Sequence, residues 1–236
     1  MRGLFFLLTT LFLTPLANSS DMELRADYIA TLTPQYTGPN CWNTSMMTFG
    51  ALDNFRFVDL TEFEYYLRKY CRKLDKDEPL ENGILIVARE YDDSDFIDEV
   101  LHSFIYFSDD KAFSKDSREP VDVPHFDPFK TAFVFASYKH FYYKIPYGFS
   151  GNLATPYSCD FKVKPAIPTN IKNIMDLFHQ INTGEINLTT DVYEDLVKMA
   201  DDIGDLKGKG KHYSRILMDS VREQIRFYKK FLDKIK

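Results

Sequence analysis

One cysteine of this 236-residue chain stands in a context that favours a reactive thiol. Cys41 follows a Gly-Pro-Asn turn, and the composition of residues 41–52 predicts a helix that begins near the sulfur. Free backbone N–H groups and the positive end of the helix dipole favour thiolate over thiol there. Gln35, six residues earlier, carries an amide NH₂ that can stabilise the oxyanion formed when a thiolate attacks a carbonyl.

A histidine on a predicted strand is the candidate base for this thiol. His102 begins the run HSFIYF, which has the branched and aromatic content of a strand, and residues 111–116 predict the returning strand of a hairpin. With a three-residue loop at 108–110, His102 lies opposite Asp116 on the same face. Asp116 can then orient the imidazole, as the third member of a catalytic triad does.

The register of this hairpin decides which side chain faces the histidine. A two-residue loop would shift the pairing by one and place Ser117 opposite His102. Ser114, diagonal to His102 on the same face, is the fallback. The other histidines lack a matching context, although His125 and His140 can line a cleft.

The combination resembles the papain-like cysteine peptidase superfamily. That superfamily places Gln, Cys and His in this chain order, commonly with Cys-Trp at the nucleophile and Lys-Asn-Ser where this chain has Lys-Asp-Ser. The short distance from Cys41 to His102 and the run HSFIYF are most similar to the minimal bacterial NlpC-type cell-wall hydrolase branch. The resemblance implies that Cys41 is the nucleophile, His102 the base, Asp116 the orienting residue and Gln35 the oxyanion donor.

The order of predicted elements is helices, then an antiparallel sheet, then helices, which is an α+β pattern. The resemblance implies the papain-like, NlpC-type form of it, with N-terminal helices packed on the sheet. We expect a catalytic domain over residues 20–165 and a helical C-terminal region over 166–236 that packs on it. The implied activity is cleavage of an amide bond in a peptide or cell-wall substrate. The alternatives are an acyl transferase or deamidase of the same fold, and a non-catalytic exported binding protein with an inert Cys41.

Residues 1–19 have the layout of a cleaved signal peptide. Arg2 precedes an apolar run from Leu4 to Leu13, and small residues follow at 17–19. Ten apolar residues reach only about 15 Å as a helix, which is too short for a transmembrane anchor. We therefore expect an exported protein, periplasmic or secreted.

Export makes the cysteine count informative. Cys41, Cys71 and Cys159 are an odd number, so at least one is unpaired within the chain. In an oxidising compartment a Cys71–Cys159 bond would leave Cys41 free. The alternative is three reduced, buried cysteines that behave as small apolar side chains.

Charge and composition limit the kinds of partner and cofactor that we expect this protein to bind. The chain has 29 Lys and Arg against 35 Asp and Glu, a net charge of −6, which argues against a nucleic-acid binder. No zinc spacing and no phosphate loop occurs, so neither a metal nor a cofactor is expected. The basic segment 205–236 predicts an amphipathic helix that either contacts an anionic surface weakly or packs on its own domain. The sequence leaves the oligomeric state open.

The secondary structure that positions these candidate residues can also be predicted. Besides the helix at 41–52 and the hairpin at 100–116, we predict a helix with a capping box from Thr61 to about Arg72 and helices at 173–181, 191–203 and 212–235. We predict strands at 84–87, 131–137, 141–145 and 157–163, an irregular segment at 21–38, a turn at Asn82-Gly83 and a hinge at 204–210.

Overall fold

Helices and strands follow the predicted α+β order. The computed structural model describes residues 19–32, 38–75, 77–92, 97–108, 111–115, 125–127, 153–204 and 211–235. Over these ranges the elements are α1 (Ser19–Thr31), α2 (Cys41–Thr48), α3 (Leu60–Tyr70), β1 (Cys71–Lys73), β2 (Ile84–Asp92), β3 (Ile97–Ser108), β4 (Lys111–Ser114), β5 (His125–Asp127), β6 (Leu153–Cys159), α4 (Thr169–Asn182), α5 (Thr190–Ile203) and α6 (Lys211–Ile235).

The strands of the described ranges form one antiparallel sheet in the order β1-β6-β2-β3-β4-β5. The late strand β6 therefore lies between two early strands. Cys71 of β1 pairs directly with Cys159 of β6, and the two form a disulfide bond. Cys41 is buried and free, so the Cys71–Cys159 pairing is confirmed and the all-reduced alternative is wrong.

The β3–β4 hairpin has most of the predicted register but a different turn. Ile105 pairs with Phe113 and Tyr106 with Ala112, as the three-residue loop requires. At the end of the hairpin, however, Ser108 pairs with Lys111, so the predicted loop at 108–110 is wrong. A bulge after Tyr106 absorbs the extra residue and keeps the register of the rest of the hairpin.

The two faces of the sheet bury different side chains. On one face, Leu85, Val87 and Ile105 pack with apolar residues of α1, α2 and α3 in one core cluster. On the other face, Ile86 and Phe104 belong to a smaller cluster. Because successive side chains of a strand alternate between faces, the neighbours in β3 separate into these two environments.

The C-terminal helices form a third cluster around α6. The apolar stripe of α6 is buried with apolar residues of α4 and α5, except for Ile235, which is exposed; the buried members are Tyr213, Leu217, Val221, Ile225, Tyr228 and Leu232. The helical region also contacts the earlier chain. The Phe55 N–H donates to His179 Nδ1 at 3.2 Å, and the Phe55 carbonyl accepts from Asn182 Nδ2 at 3.1 Å.

Three predicted features at the N-terminal side are wrong. Residues 21–38 were expected to be irregular, but α1 begins at Ser19 because Met22, Ala26 and Ile29 recur at helical spacing and are buried. The second helix is capped by Asp59 instead of Thr61, since the Asp59 carboxylate accepts from the backbone N–H of Glu62 at 2.7 Å. The helix that begins at Cys41 ends at Thr48 and not at residue 52.

The remaining predictions have mixed outcomes, and the strand expected at 157–163 is displaced, since β6 covers Leu153–Cys159. Gly83 has φ of 83° in the expected turn, and β2 follows it. The three C-terminal helices lie where they were predicted. Residues 1–18 of the expected signal peptide at 1–19, the strands expected at 131–137 and 141–145, and residues 205–210 of the expected hinge fall outside the described residues. None of the helices that the structure describes combines the length and the apolar character needed to cross a bilayer.

Candidate functional site

Cys41 is the first residue of α2, as the turn before it predicted. Asn40 caps this helix: its side-chain oxygen accepts from the Asn43 N–H at 3.1 Å. The Asn40 amide also donates to the Val58 carbonyl at 2.8 Å, which ties the start of α2 to the loop before α3. Two hydrogen bonds of one buried side chain therefore fix the backbone that carries the sulfur.

The helix packs closely on β3 through small polar side chains. The Ser103 hydroxyl donates to the Cys41 carbonyl at 3.3 Å and lies 2.9 Å from the Ser45 hydroxyl. Ser103 is the residue after His102. The structure therefore brings the start of α2 to the part of β3 where the candidate base is located.

Burial dominates the electrostatics of the thiol. Only 8% of Cys41 is exposed, and loss of solvent raises the pKa of its thiol to about 11. Backbone hydrogen bonds of Ser103 and Trp42 and the positive charge of Lys115 lower the pKa, but by less. The thiol is therefore protonated at neutral pH in this arrangement.

His102 is buried on the face of β3 that points away from α2. Its ring centroid lies 5.9 Å from that of Phe104, two residues along the strand. Ser103, between them, points to α2. The backbone at His102 is thus close to the site, while the imidazole and the Cys41 thiol lie on opposite faces of the sheet. A thiolate–imidazolium pair requires a rearrangement of β3 at His102.

The remaining predicted site residues divide into two groups. Gln35 and Asp116 lie outside the described residues. Ser114, the fallback partner, is buried, and the observed register places it opposite Phe104, on the same face as His102.

Lys115 is a site residue that the sequence analysis missed. It is 1% exposed, and continuing the register of Ile105 and Phe113 by two residues places it opposite Ser103, on the α2 face. Its influence on the thiol agrees with that position. The alternation of Phe113 and Lys115 along β4 is the signal that could have found it, because both point inward once the register is known.

A second buried polar cluster lies beside the loop that holds Asn40. Arg56 donates to both carboxylate oxygens of Glu62, at 2.8 and 2.5 Å, and to the Phe57 carbonyl at 2.8 Å. Ser220 of α6 donates to the same carboxylate at 2.6 Å. The cluster therefore joins the loop before α3, α3 itself and the C-terminal helix.

Within the described ranges, no three His, Cys, Asp or Glu side chains gather closely enough to hold a metal ion. Searches against protein-family models, curated proteins and solved structures found no match to this chain.

Proposed function

We propose that this protein is an exported thiol hydrolase of the papain-like, NlpC-type class, which cleaves an amide bond through Cys41 and His102. One observation carries the proposal: Cys41 begins a capped helix that packs on β3 at the residue following His102. A nucleophile at a helix start and a base on the adjacent strand are what the resemblance implies. By analogy with that class, the substrate is a peptide or a cell-wall amide.

The proposed reaction has two steps. His102 takes the thiol proton, and the Cys41 sulfur attacks the amide carbonyl while Gln35 and the Cys41 N–H hold the oxyanion. The C–N bond breaks, His102 returns the proton to the leaving amine, and a thioester remains on Cys41. A water molecule that gives a proton to His102 then attacks the thioester, the C–S bond breaks to release the acid, and His102 returns the proton to the Cys41 sulfur. Asp116 orients the imidazole throughout.

In this proposal the described arrangement is a resting state. Burial keeps the thiol protonated, with a pKa of about 11, and the imidazole lies on the other face of the sheet. Cys41 becomes a nucleophile only when the imidazole reaches it. Slow reaction with general thiol reagents at neutral pH is therefore compatible with a catalytic role.

The second candidate is a non-catalytic exported binding protein. The observation in its favour is the same raised pKa of Cys41, since a fully buried, protonated thiol is chemically inert. In that case Cys41 is a small packing residue, and its replacement by alanine leaves the binding activity unchanged.

Hydrolysis of defined amides by the mature protein separates the two candidates. The substrates are cell-wall muropeptides and a mixed peptide library, with amine and acid products identified by mass spectrometry. If the protein is a hydrolase, we expect Cys41→Ala and His102→Ala each to lower the rate of amide hydrolysis by about 10³-fold or more. His212→Ala is the matched control, because His212 is exposed on α6. Activity that survives Cys41→Ala would refute the proposal.

The same assay with added hydroxylamine distinguishes hydrolysis from acyl transfer. A hydrolase forms mainly the free acid, whereas an acyl transferase passes the thioester to the amine and forms the hydroxamate. Release of ammonia from a side-chain amide would identify a deamidase.

A further inference from the structure

Gln224 is a buried amide of the C-terminal helix that lies between two segments of the early chain. Its side-chain oxygen accepts a hydrogen bond from the Phe57 N–H at 2.5 Å, and the residue is 0% exposed. On its other side it packs on Gly38. A Cβ at residue 38 would lie less than 3.0 Å from three atoms of this amide, so any larger residue there requires the amide or the chain at residue 38 to shift.

Both segments lead directly to the start of α2. Gly38 lies three residues before Cys41 in the chain. Phe57 precedes Val58, whose carbonyl accepts from the capping side chain of Asn40 at 2.8 Å. Gln224 therefore contacts the chain that enters the helix and also the loop that holds the helix cap.

Hydrogen bonds one turn away on each side fix Gln224 in place. One turn before it, Ser220 donates to Glu62 at 2.6 Å and accepts from the Asp59 N–H at 3.3 Å. One turn after it, the Tyr228 hydroxyl donates to Asn182 at 3.1 Å. These contacts hold the helix, and the hydrogen bond from the Phe57 N–H holds the amide, so the amide has a defined position against Gly38.

We propose that Gln224 is a positioning residue for Cys41, so that the C-terminal helix completes the thiol site. A role of Gln224 in catalysis rests on the proposed function, whereas its effect on the position of the Cys41 thiol does not. The C-terminal helical region then contributes a residue that positions the site.

The coupling of residues 38 and 224 tests the proposal. The rate of Cys41 alkylation by iodoacetamide, mapped by mass spectrometry in the full chain, reports how well the thiol is enclosed. Gly38→Ala forces residues 38–40 away from Gln224, so we expect the rate to rise by about tenfold. In a Gln224→Ala background the new methyl group has room, and we expect the same substitution to change the rate by less than about threefold.

Leu232→Ala is the control for a general loss of stability. It truncates a buried apolar side chain of the same helix two turns from Gln224, and it keeps the side chains of Ser220, Gln224 and Tyr228. We expect its alkylation rate to equal that of the wild type, with urea unfolding used to show that each variant is folded. An equal effect of Gly38→Ala in both backgrounds, or a comparable rise in Leu232→Ala, would overturn the proposal.

The alkylation assay keeps this inference separate from the proposed function. If the coupling is found but hydrolysis survives Cys41→Ala, Gln224 still positions the thiol and the hydrolase is refuted. If Cys41→Ala abolishes hydrolysis and no coupling is found, the hydrolase stands and the role of Gln224 is refuted. If both hold, we expect Gln224→Ala to lower kcat more than it changes KM.

Discussion

At the residue scale, burial and the charge of Lys115 have opposite effects on the pKa of the Cys41 thiol. Burial favours the neutral thiol, and the ammonium group favours the thiolate. Lys115 is itself almost fully enclosed. A lysine in that position keeps the thiol closer to ionisation than an apolar side chain would.

Replacement of this lysine should therefore make the thiol harder to ionise. In Lys115→Met the positive charge is lost, and we expect the pKa of Cys41 to rise further above 9.0, its ordinary value. The measurement is the iodoacetamide rate of Cys41 between about pH 7 and 11, where the rate at each pH should be lower than in the wild type because a smaller fraction of the thiol is ionised. Lys111→Met is the matched control, because Lys111 begins the strand that Lys115 follows but pairs with Glu23 at 2.6 Å. An equal fall in rate in both variants would contradict the assignment.

Asp59 gives the protein a second pH dependence. Burial raises the pKa of its carboxyl to about 6, and the negative charges of Glu62 and Asp219 add to this effect. The folded value exceeds the ordinary value of 3.8, so the stabilisation by this group is complete below pH 3.8 and is lost as the pH rises through 6.

Asp59→Asn removes the charge and keeps an oxygen that can cap α3. We expect the variant to exceed the wild type by about 1 kcal/mol in free energy of unfolding at neutral pH, a value reduced for partial exposure, and to lose this advantage near pH 4. Urea unfolding at both pH values measures the difference. Asp201→Asn, at an exposed position of α5, should show no such trend. A constant difference between Asp59→Asn and the wild type would exclude a shifted carboxyl.

Local patterns account for the residues that the sequence analysis found. The helix start at Cys41 follows from the turn before it, and the strand at His102 follows from its own composition. Lys115 and Gln224 were missed because their roles depend on a hairpin register and on a contact between distant parts of the chain. Which face of β3 carries the imidazole also depended on packing, since a strand pattern does not fix which face meets the helix.

At the scale of elements, the Arg56–Glu62 ion pair holds three segments together. Both side chains are almost fully buried, and Ser220 of α6 completes the hydrogen bonding of the carboxylate. Removal of one partner leaves the other charge buried without compensation.

We expect Arg56→Met to lower the free energy of unfolding by about 3–5 kcal/mol. The double variant Arg56→Met with Glu62→Leu should recover most of that loss, because no unpaired charge remains. Urea unfolding of the wild type, both single variants and the double variant gives the coupling directly. Strictly additive losses would show that the pair does not act as a unit.

Amphipathic periodicity explains which helices could be predicted. The three C-terminal helices each carry an apolar stripe, which is buried in α4 and α6 and mostly half-buried in α5, so their predicted bounds differ from the observed ones by at most four residues. The α1 helix was not predicted because Pro34 and Gly38 indicate an irregular segment. The buried residues of α1 nevertheless have helical spacing. The cap of α3 was placed two residues late, since both Asp59 and Thr61 are good caps and only the folded chain selects between them.

At the scale of the whole molecule, the disulfide joins two distant parts of the chain. Cys71 and Cys159 are separated by 88 residues, and the bond restricts the unfolded chain accordingly. We expect Cys71→Ala with Cys159→Ala to lose about 3–5 kcal/mol in free energy of unfolding. The wild type in strong reductant should show the same urea midpoint as the double variant. A double variant as stable as the oxidised wild type would refute this role.

The contact of the last helix with the chain that leads to Cys41 has a consequence for the order of events during synthesis. If the chain is exported from its N-terminus, as we propose, Cys41 and Cys71 reach the oxidising compartment before Cys159 and long before Gln224. During that interval the thiol that later becomes shielded is open to the nearest cysteine, and the first bond available is the wrong one. Correct maturation then requires that this early bond is avoided or exchanged before α6 packs against the chain that leads to Cys41.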